Sequence, residues 1–169
     1  MRWVPARALF LPLGGALAAA LWPVRALEVV DLDRDRLVAV YPAGPFQLRY
    51  RHSVYGGLVW EQFTVVGTEI LLDSVEAEQE AALEYYGLPQ RVTQAAGRYR
   101  LSPVHQRLGE LVVRATATGQ RTLVVGRTSL PLYGEGREGH RVRLRGVRVP
   151  AGWLALSTVW KQIRERVKP

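Results

Sequence analysis

The residues of this chain best placed for acid–base or nucleophilic chemistry are His52, Ser53 and Glu61. They fall in residues 46–66, FQLRYRHSVYGGLVWEQFTVV, where apolar and polar side chains alternate on either side of Gly56-Gly57. That pattern reads as two strands joined by a two-residue turn, because both glycines can take positive φ and match the strand twist. This register sets His52 directly opposite Glu61, in a row otherwise made of Phe46, Leu48, Tyr50, Val54, Val59, Phe63 and Val65. A facing imidazole and carboxylate in an apolar row could handle a proton or hold a ligand. The same pair, mutually satisfied, would lock the register of the hairpin, and the pattern favours that structural role. Ser53 points to the other face of its strand, so His52 cannot activate it. The remaining histidines, His105 and His140, lie in loops. No serine sits in a nucleophile elbow, and three scattered histidines with no cysteine give no metal-ligand spacing. The expectation is no catalytic triad, no metal and no cofactor.

Two further patches carry chemistry-bearing side chains. Residues 134–139, GEGREG, fit a GxGxxG pattern, but an alternating strand follows where a dinucleotide site needs a helix, so they read as a loop. In that following strand Arg141, Arg143 and Arg145 share one face, the usual look of a solvated row and less often of an anion-binding stripe. Glu84, Tyr85 and Tyr86 end a Glu- and Ala-rich stretch, residues 76–87, which predicts a short helix closed by Gly87-Leu88-Pro89. Paired tyrosines fill a core by default and make a ligand or partner surface in the alternative reading.

The elements that must position these groups are almost all strands. Residues 27–31, 36–41, 46–54, 58–66, 69–75, 98–101, 110–118, 121–126, 129–133 and 141–149 read as short β-segments separated by Gly, Pro and Asp turns. A second hairpin is expected at Gly119-Gln120, with Ala117 facing Thr122 and Ala115 facing Val124. The fold class that follows is mostly all-β, an antiparallel β-sandwich or barrel-like domain with one short internal helix. At 169 residues the chain holds one domain's worth of sequence, and 48% hydrophobic residues suffice for one core without disulfides.

The two ends depart from this pattern. Residues 1–26 have Arg2 and Arg7 ahead of an apolar run and end in a small residue, the layout of a secretory signal peptide. Cleavage is expected after Ala26, with Ala20 as the alternative and an uncleaved anchor as a third outcome. The protein is therefore read as exported, to the periplasm or the outer face of the cytoplasmic membrane. Residues 27–149 form the β-rich domain. In residues 150–169, Trp153, Leu156, Trp160, Ile163 and Val167 make one stripe of an amphipathic helix, with Lys161, Arg164, Arg166 and Lys168 off it. Such a helix either packs its stripe on the domain or docks on a membrane or membrane protein through Trp153, Trp160, Lys161, Arg164 and Lys168. Without residues 1–26 the charge of +8 falls to +5, 20 basic against 15 acidic side chains, read as solubility, attraction to anionic lipid head groups or a weak preference for acidic partners, and nucleic-acid binding is not expected of an exported chain.

Taken together, residues 50–54 (YRHSV), 61–63 (EQF), 80–87 (EAALEYYG) and 116–119 (TATG), with Arg121 and Leu123, resemble the small exported bacterial family catalogued as domain of unknown function 1850. The resemblance implies a compact β-rich domain with no assigned activity, encoded often beside TRAP transporters of the TAXI type. An accessory role in solute uptake, with transporter components as partners, is the corresponding expectation. The positions marked by the family are carried by His52, Ser53, Val54, Glu84, Tyr85 and Tyr86. The candidate polar cluster is thus His52, Glu61, Glu84, Tyr85, Tyr86 and Arg121, expected to serve a non-enzymatic partner-binding domain. The alternative is a ligand-binding domain or enzyme with a pocket around His52, Glu61 and Glu84.

Overall fold

The structure, a computed structural model, describes residues 19–156. Its strands are β1 (Pro23–Asp31), β2 (Arg36–Pro42), β3 (Pro45–Arg51), β4 (Leu58–Val66) and β5 (Glu69–Ala77), then a short helix α1 (Glu80–Glu84). There follow β6 (Val92–Ala95), β7 (Arg98–Leu101), β8 (Gln106–Leu108), β9 (Leu111–Arg114), β10 (Thr122–Val125), β11 (Thr128–Pro131) and β12 (Arg141–Pro150). Residues 151–156 are again helical.

Alternation decides which sheet face each strand buries, and two antiparallel sheets result. The smaller has the order β2-β1-β12-β9; the larger runs β11-β10-β3-β4-β5-β7-β6, with β8 also paired to β5. Leu27, Val29, Leu144 and Val142 of the small sheet meet Phe46, Leu48, Phe63, Ile70 and Leu72 of the large one in a single core. Phe46 and Phe63 face each other across β3 and β4 with their rings stacked at 5.1 Å. Neither sheet closes on itself, so of the two expected architectures the sandwich is the one observed.

Gly146 of β12 explains how closely the sheets approach. A Cβ there would lie 2.8 Å from the backbone carbon of Thr68, in the β4–β5 turn, so no larger residue fits without moving backbone. That contact fixes the polarity of the sandwich. The β12 end at Pro150 and the β1 end at Pro23, paired in register, lie at the β4–β5 turn end; the β3–β4 loop lies at the other end of β4. Nine strand residues separate the two, about 26–30 Å.

Three expectations change. The Gly119-Gln120 hairpin does not form: β9 pairs with β12 and β10 with β3 and β11, so the segments on either side of that turn belong to different sheets. The chain crosses between layers there, and Gly119 is pinned instead by Arg51 N–H donating to its carbonyl at 2.8 Å. The short strands β6 and β8, whose sequences lack a clean alternation, add to the expected set. Finally, β1 begins at Pro23, four residues before the predicted start of the β-domain. Ala26 is fully buried, paired with Val147 and Pro42, and the Arg25 carbonyl accepts from Ala43 N–H at 3.1 Å. A cut after Ala26 would thus fall inside a paired strand. Trp160, Lys161, Arg164 and Lys168 lie outside the described residues, as does the start of the signal-like segment.

Candidate functional site

Glu61 sits in β4 opposite Leu48 of β3, and Tyr50 is opposite Val59. The register therefore differs from that of a Gly56-Gly57 turn, and the expected His52–Glu61 pair does not form. His52 instead closes a longer loop: its N–H donates to the Gly57 carbonyl at 3.0 Å and its carbonyl accepts from Gly56 N–H at 3.0 Å. Its Nδ1 accepts from the N–H groups of Val54 and Tyr55, both at 3.3 Å, so the ring proton of the neutral tautomer belongs on Nε2. The imidazole caps the turn as an Asp or Asn side chain would. It is buried, against Tyr55 (ring centroids 5.1 Å) and edge-on to Tyr85 (5.5 Å).

The true partner of Glu61 arrives from α1. Ala82 and Leu83 anchor that helix in the core, and Gly87, at φ +61°, terminates it. Tyr85 and Tyr86 are thereby presented in succession, on different neighbours. Tyr86 donates its hydroxyl proton to Glu61 Oε1 at 2.5 Å. Tyr86 Oη and Tyr50 Oη are 2.7 Å apart. Since each phenol has one proton and that of Tyr86 is committed to Glu61, Tyr50 donates to Tyr86. The Arg121 guanidinium lies over the Tyr50 ring, 4.4 Å from its centroid, a cation–π contact. Among the described residues no carboxylate comes within ion-pair distance of Arg121.

This chain of groups has a definite electrostatic character. Burial raises the Glu61 carboxyl above the ordinary carboxylate range, only partly opposed by the Tyr86 hydrogen bond and the Arg121 charge. Burial, reinforced by the Glu61 charge, pushes Tyr50 up to about 12. Tyr86 rises further still for the same reasons, burial first. Both phenols therefore stay protonated and act as hydrogen-bond donors. The arrangement fixes a carboxyl and its hydrogen-bond donors in place. Among the described residues no group of His, Cys, Asp or Glu is arranged to hold a metal ion.

Above this network lies an apolar rim. Tyr85 is 74% exposed and Val54 72% exposed, with Tyr55 beside them. Of the predicted cluster, the structure joins Glu61 to Tyr86 and Arg121, and His52 to Tyr85, and adds Tyr50 and Tyr55. Glu84 is exposed and belongs to neither group, so the expected pocket around His52, Glu61 and Glu84 is not assembled.

One buried polar site had no counterpart in the sequence reading. Asp31, 1% exposed, accepts from Asp33 N–H (3.1 Å) and Arg34 N–H (3.3 Å), and meets His140 Nδ1 at 2.9 Å. Burial alone would raise its carboxyl, but His140 and the two backbone donors outweigh it and hold the group below the usual carboxylate range. Arg141 doubles the clasp through Asp33, Nη2 to Oδ1 at 2.7 Å. The glycine-rich loop beyond β11 is held by Arg137, 5% exposed, whose Nε donates to the Leu132 carbonyl at 2.9 Å. The arginine row of β12 is likewise occupied: Arg145 pairs with Glu28 at 2.6 Å, and Arg143 lies between Glu28 and Glu110. These are fold-holding contacts.

Comparison with known proteins gives one positive result. The family model described as Domain of unknown function (DUF1850) matches residues 46–132, just over half of the chain. No curated protein and no solved structure matches. The matched stretch runs from β3 through β11, which includes every strand of the larger sheet and every residue of the Tyr50–Tyr86–Glu61–Arg121 network.

Proposed function

The chain belongs to the DUF1850 family, and from that premise we propose that it is a non-enzymatic binding domain that recognises a protein partner through the β3–β4 end of the larger sheet. One observation carries this reading. Five segments, β3, the β3–β4 loop, β4, the end of α1 and the residue before β10, converge there on a hydrogen-bonded polar base under an exposed aromatic rim. Exposed tyrosine side chains on rigid supports contribute contact area at small entropic cost and are enriched at interface centres, and Val54 adds exposed apolar area. The Tyr50–Tyr86–Glu61 chain serves as the support, holding the α1 end against the hairpin so that Tyr85 and Val54 keep one relative position.

The partner we propose is a component of a TAXI-type TRAP solute uptake system, met by an exported protein at the outer face of the cytoplasmic membrane. The family resemblance motivates that partner, and the rim supplies a surface of suitable chemistry. A tagged full-length protein should co-purify with transporter components from solubilised membranes. Recovery solely as a free protein in the soluble periplasmic fraction would refute the assignment.

A second reading is favoured by Arg121, which makes no ion pair among the described residues yet lies close enough to the half-buried Glu61 carboxyl for its charge to act on it. Those groups could instead bind a small anionic ligand. Titration with inorganic phosphate separates the two: binding that Arg121→Gln abolishes supports the second reading, and no binding by the wild-type protein refutes it.

A further inference from the structure

We propose that the opposite end of the sandwich, where both ends of the described chain lie, is a docking surface for an anionic lipid bilayer. The inference is independent of the recognition end and rests on different residues.

The two ends of the described chain leave side by side. Ala151 N–H donates to the Trp22 carbonyl at 2.9 Å, and a Cβ on Gly152 would come within 3.2 Å of Ala20. These few residues concentrate large apolar exposure: Trp22 is 70%, Leu21 64% and Leu156 61% exposed, and Trp153 joins them. Tryptophan with leucine at one end of a domain is the composition that sits at a bilayer headgroup boundary.

Charge identifies the kind of bilayer. The register places Arg25 of β1 directly opposite Arg148 of β12, both exposed, and among the described residues neither has a carboxylate within ion-pair distance. Like charges facing each other across a strand pair oppose pairing, unlike the Arg145–Glu28 contact farther along the same two strands. An anionic surface against this end relieves that repulsion. Beyond the described residues the sequence continues in the same sense. Residues 8–18 contain no charge, and residues 157–169 carry Lys161, Arg164, Arg166 and Lys168 against the single acid Glu165. Polybasic segments of this kind are drawn to anionic headgroups. Docked here, the domain would hold its aromatic rim about 26–30 Å from the lipid, one strand length away.

The chain contains no cysteine, so single substitutions give site-specific probes. Leu21→Cys, Leu156→Cys and, at the far end, Tyr85→Cys in the full-length protein are each labelled with an environment-sensitive fluorophore. They are then mixed with vesicles of phosphatidylcholine and phosphatidylglycerol, or of phosphatidylcholine alone. Labels at 21 and 156 should shift to the blue and brighten at least threefold with phosphatidylglycerol present, respond far less to phosphatidylcholine alone, and leave the label at 85 unchanged. No response at 21 and 156 would overturn the proposal. An equal response at 85 or an equal response to neutral vesicles would do the same, and so would labels already in an apolar setting without lipid, since the chain would then be covering this surface itself.

Discussion

Tyr86→Phe removes one hydroxyl and keeps the ring that packs behind α1. In the native protein that hydroxyl makes two hydrogen bonds, donating to Glu61 at 2.5 Å and accepting from Tyr50 at 2.7 Å. A phenol–phenol bond contributes about 1 kcal/mol net, and a bond to an ionised carboxylate about 1.5–3 kcal/mol, so the figures apply above the pH range in which Glu61 keeps its proton. The variant should therefore lose about 2.5–4 kcal/mol, a large part of a domain's stability. Urea unfolding followed by far-UV circular dichroism measures it, with the loss read from the midpoint at unchanged m. Two companions test the direction of the chain. Tyr50→Phe removes a donor only, and should cost about 1 kcal/mol; a double-mutant cycle between Tyr86→Phe and Glu61→Gln should return a coupling above about 0.5 kcal/mol. A loss below about 0.5 kcal/mol in Tyr86→Phe, or a coupling near zero, would refute the claim that these residues form the support of the rim.

The other predictions concern single sites. Because burial holds Glu61 above the ordinary carboxylate range, the native state keeps a proton that the unfolded chain releases, so this site loses stability as pH rises from that range through its native value. Glu61→Gln should flatten the decline, and unfolding midpoints measured between about pH 4 and 8 check it. Asp31 behaves oppositely: its lowered carboxyl stabilises above the ordinary range, and that contribution vanishes as pH falls through the native value. Asp31→Asn should cost about 1–3 kcal/mol near neutral pH, with the gap to wild type closing in acid. Gly146→Ala forces a methyl group against the Thr68 backbone and should destabilise by about 1–3 kcal/mol in the same unfolding assay.

The strands were largely legible because each buries one face, and period-2 alternation records that locally. The hairpin register was not. Gly56-Gly57 mimics a two-residue turn, whereas the loop runs over Ser53 to Gly56 and is closed by His52, whose capping role resembles that of Asn but is not signalled by residue type. The observed register differs from that of a Gly56-Gly57 turn by an even number of residues, which preserves the face: Glu61 lies on the same side as Tyr50 and opposite Leu48. Tyr86, 25 residues from Glu61, and His140, 109 residues from Asp31, meet them only through tertiary packing. The adjacent Tyr85 and Tyr86 were visible as a patch; that one supports and the other is presented follows from where α1 ends.

Capture of the partner by surface variants bears most directly on the central assignment. Tyr85→Ser combined with Val54→Ser alters two exposed side chains and should leave the unfolding free energy within about 0.5 kcal/mol of wild type. Full-length protein carrying both changes should recover at least about tenfold less transporter component from solubilised membranes than wild type, as expected for truncation of interface-centre residues. Undiminished recovery by the folded double variant would contradict the assignment of this end as the recognition surface.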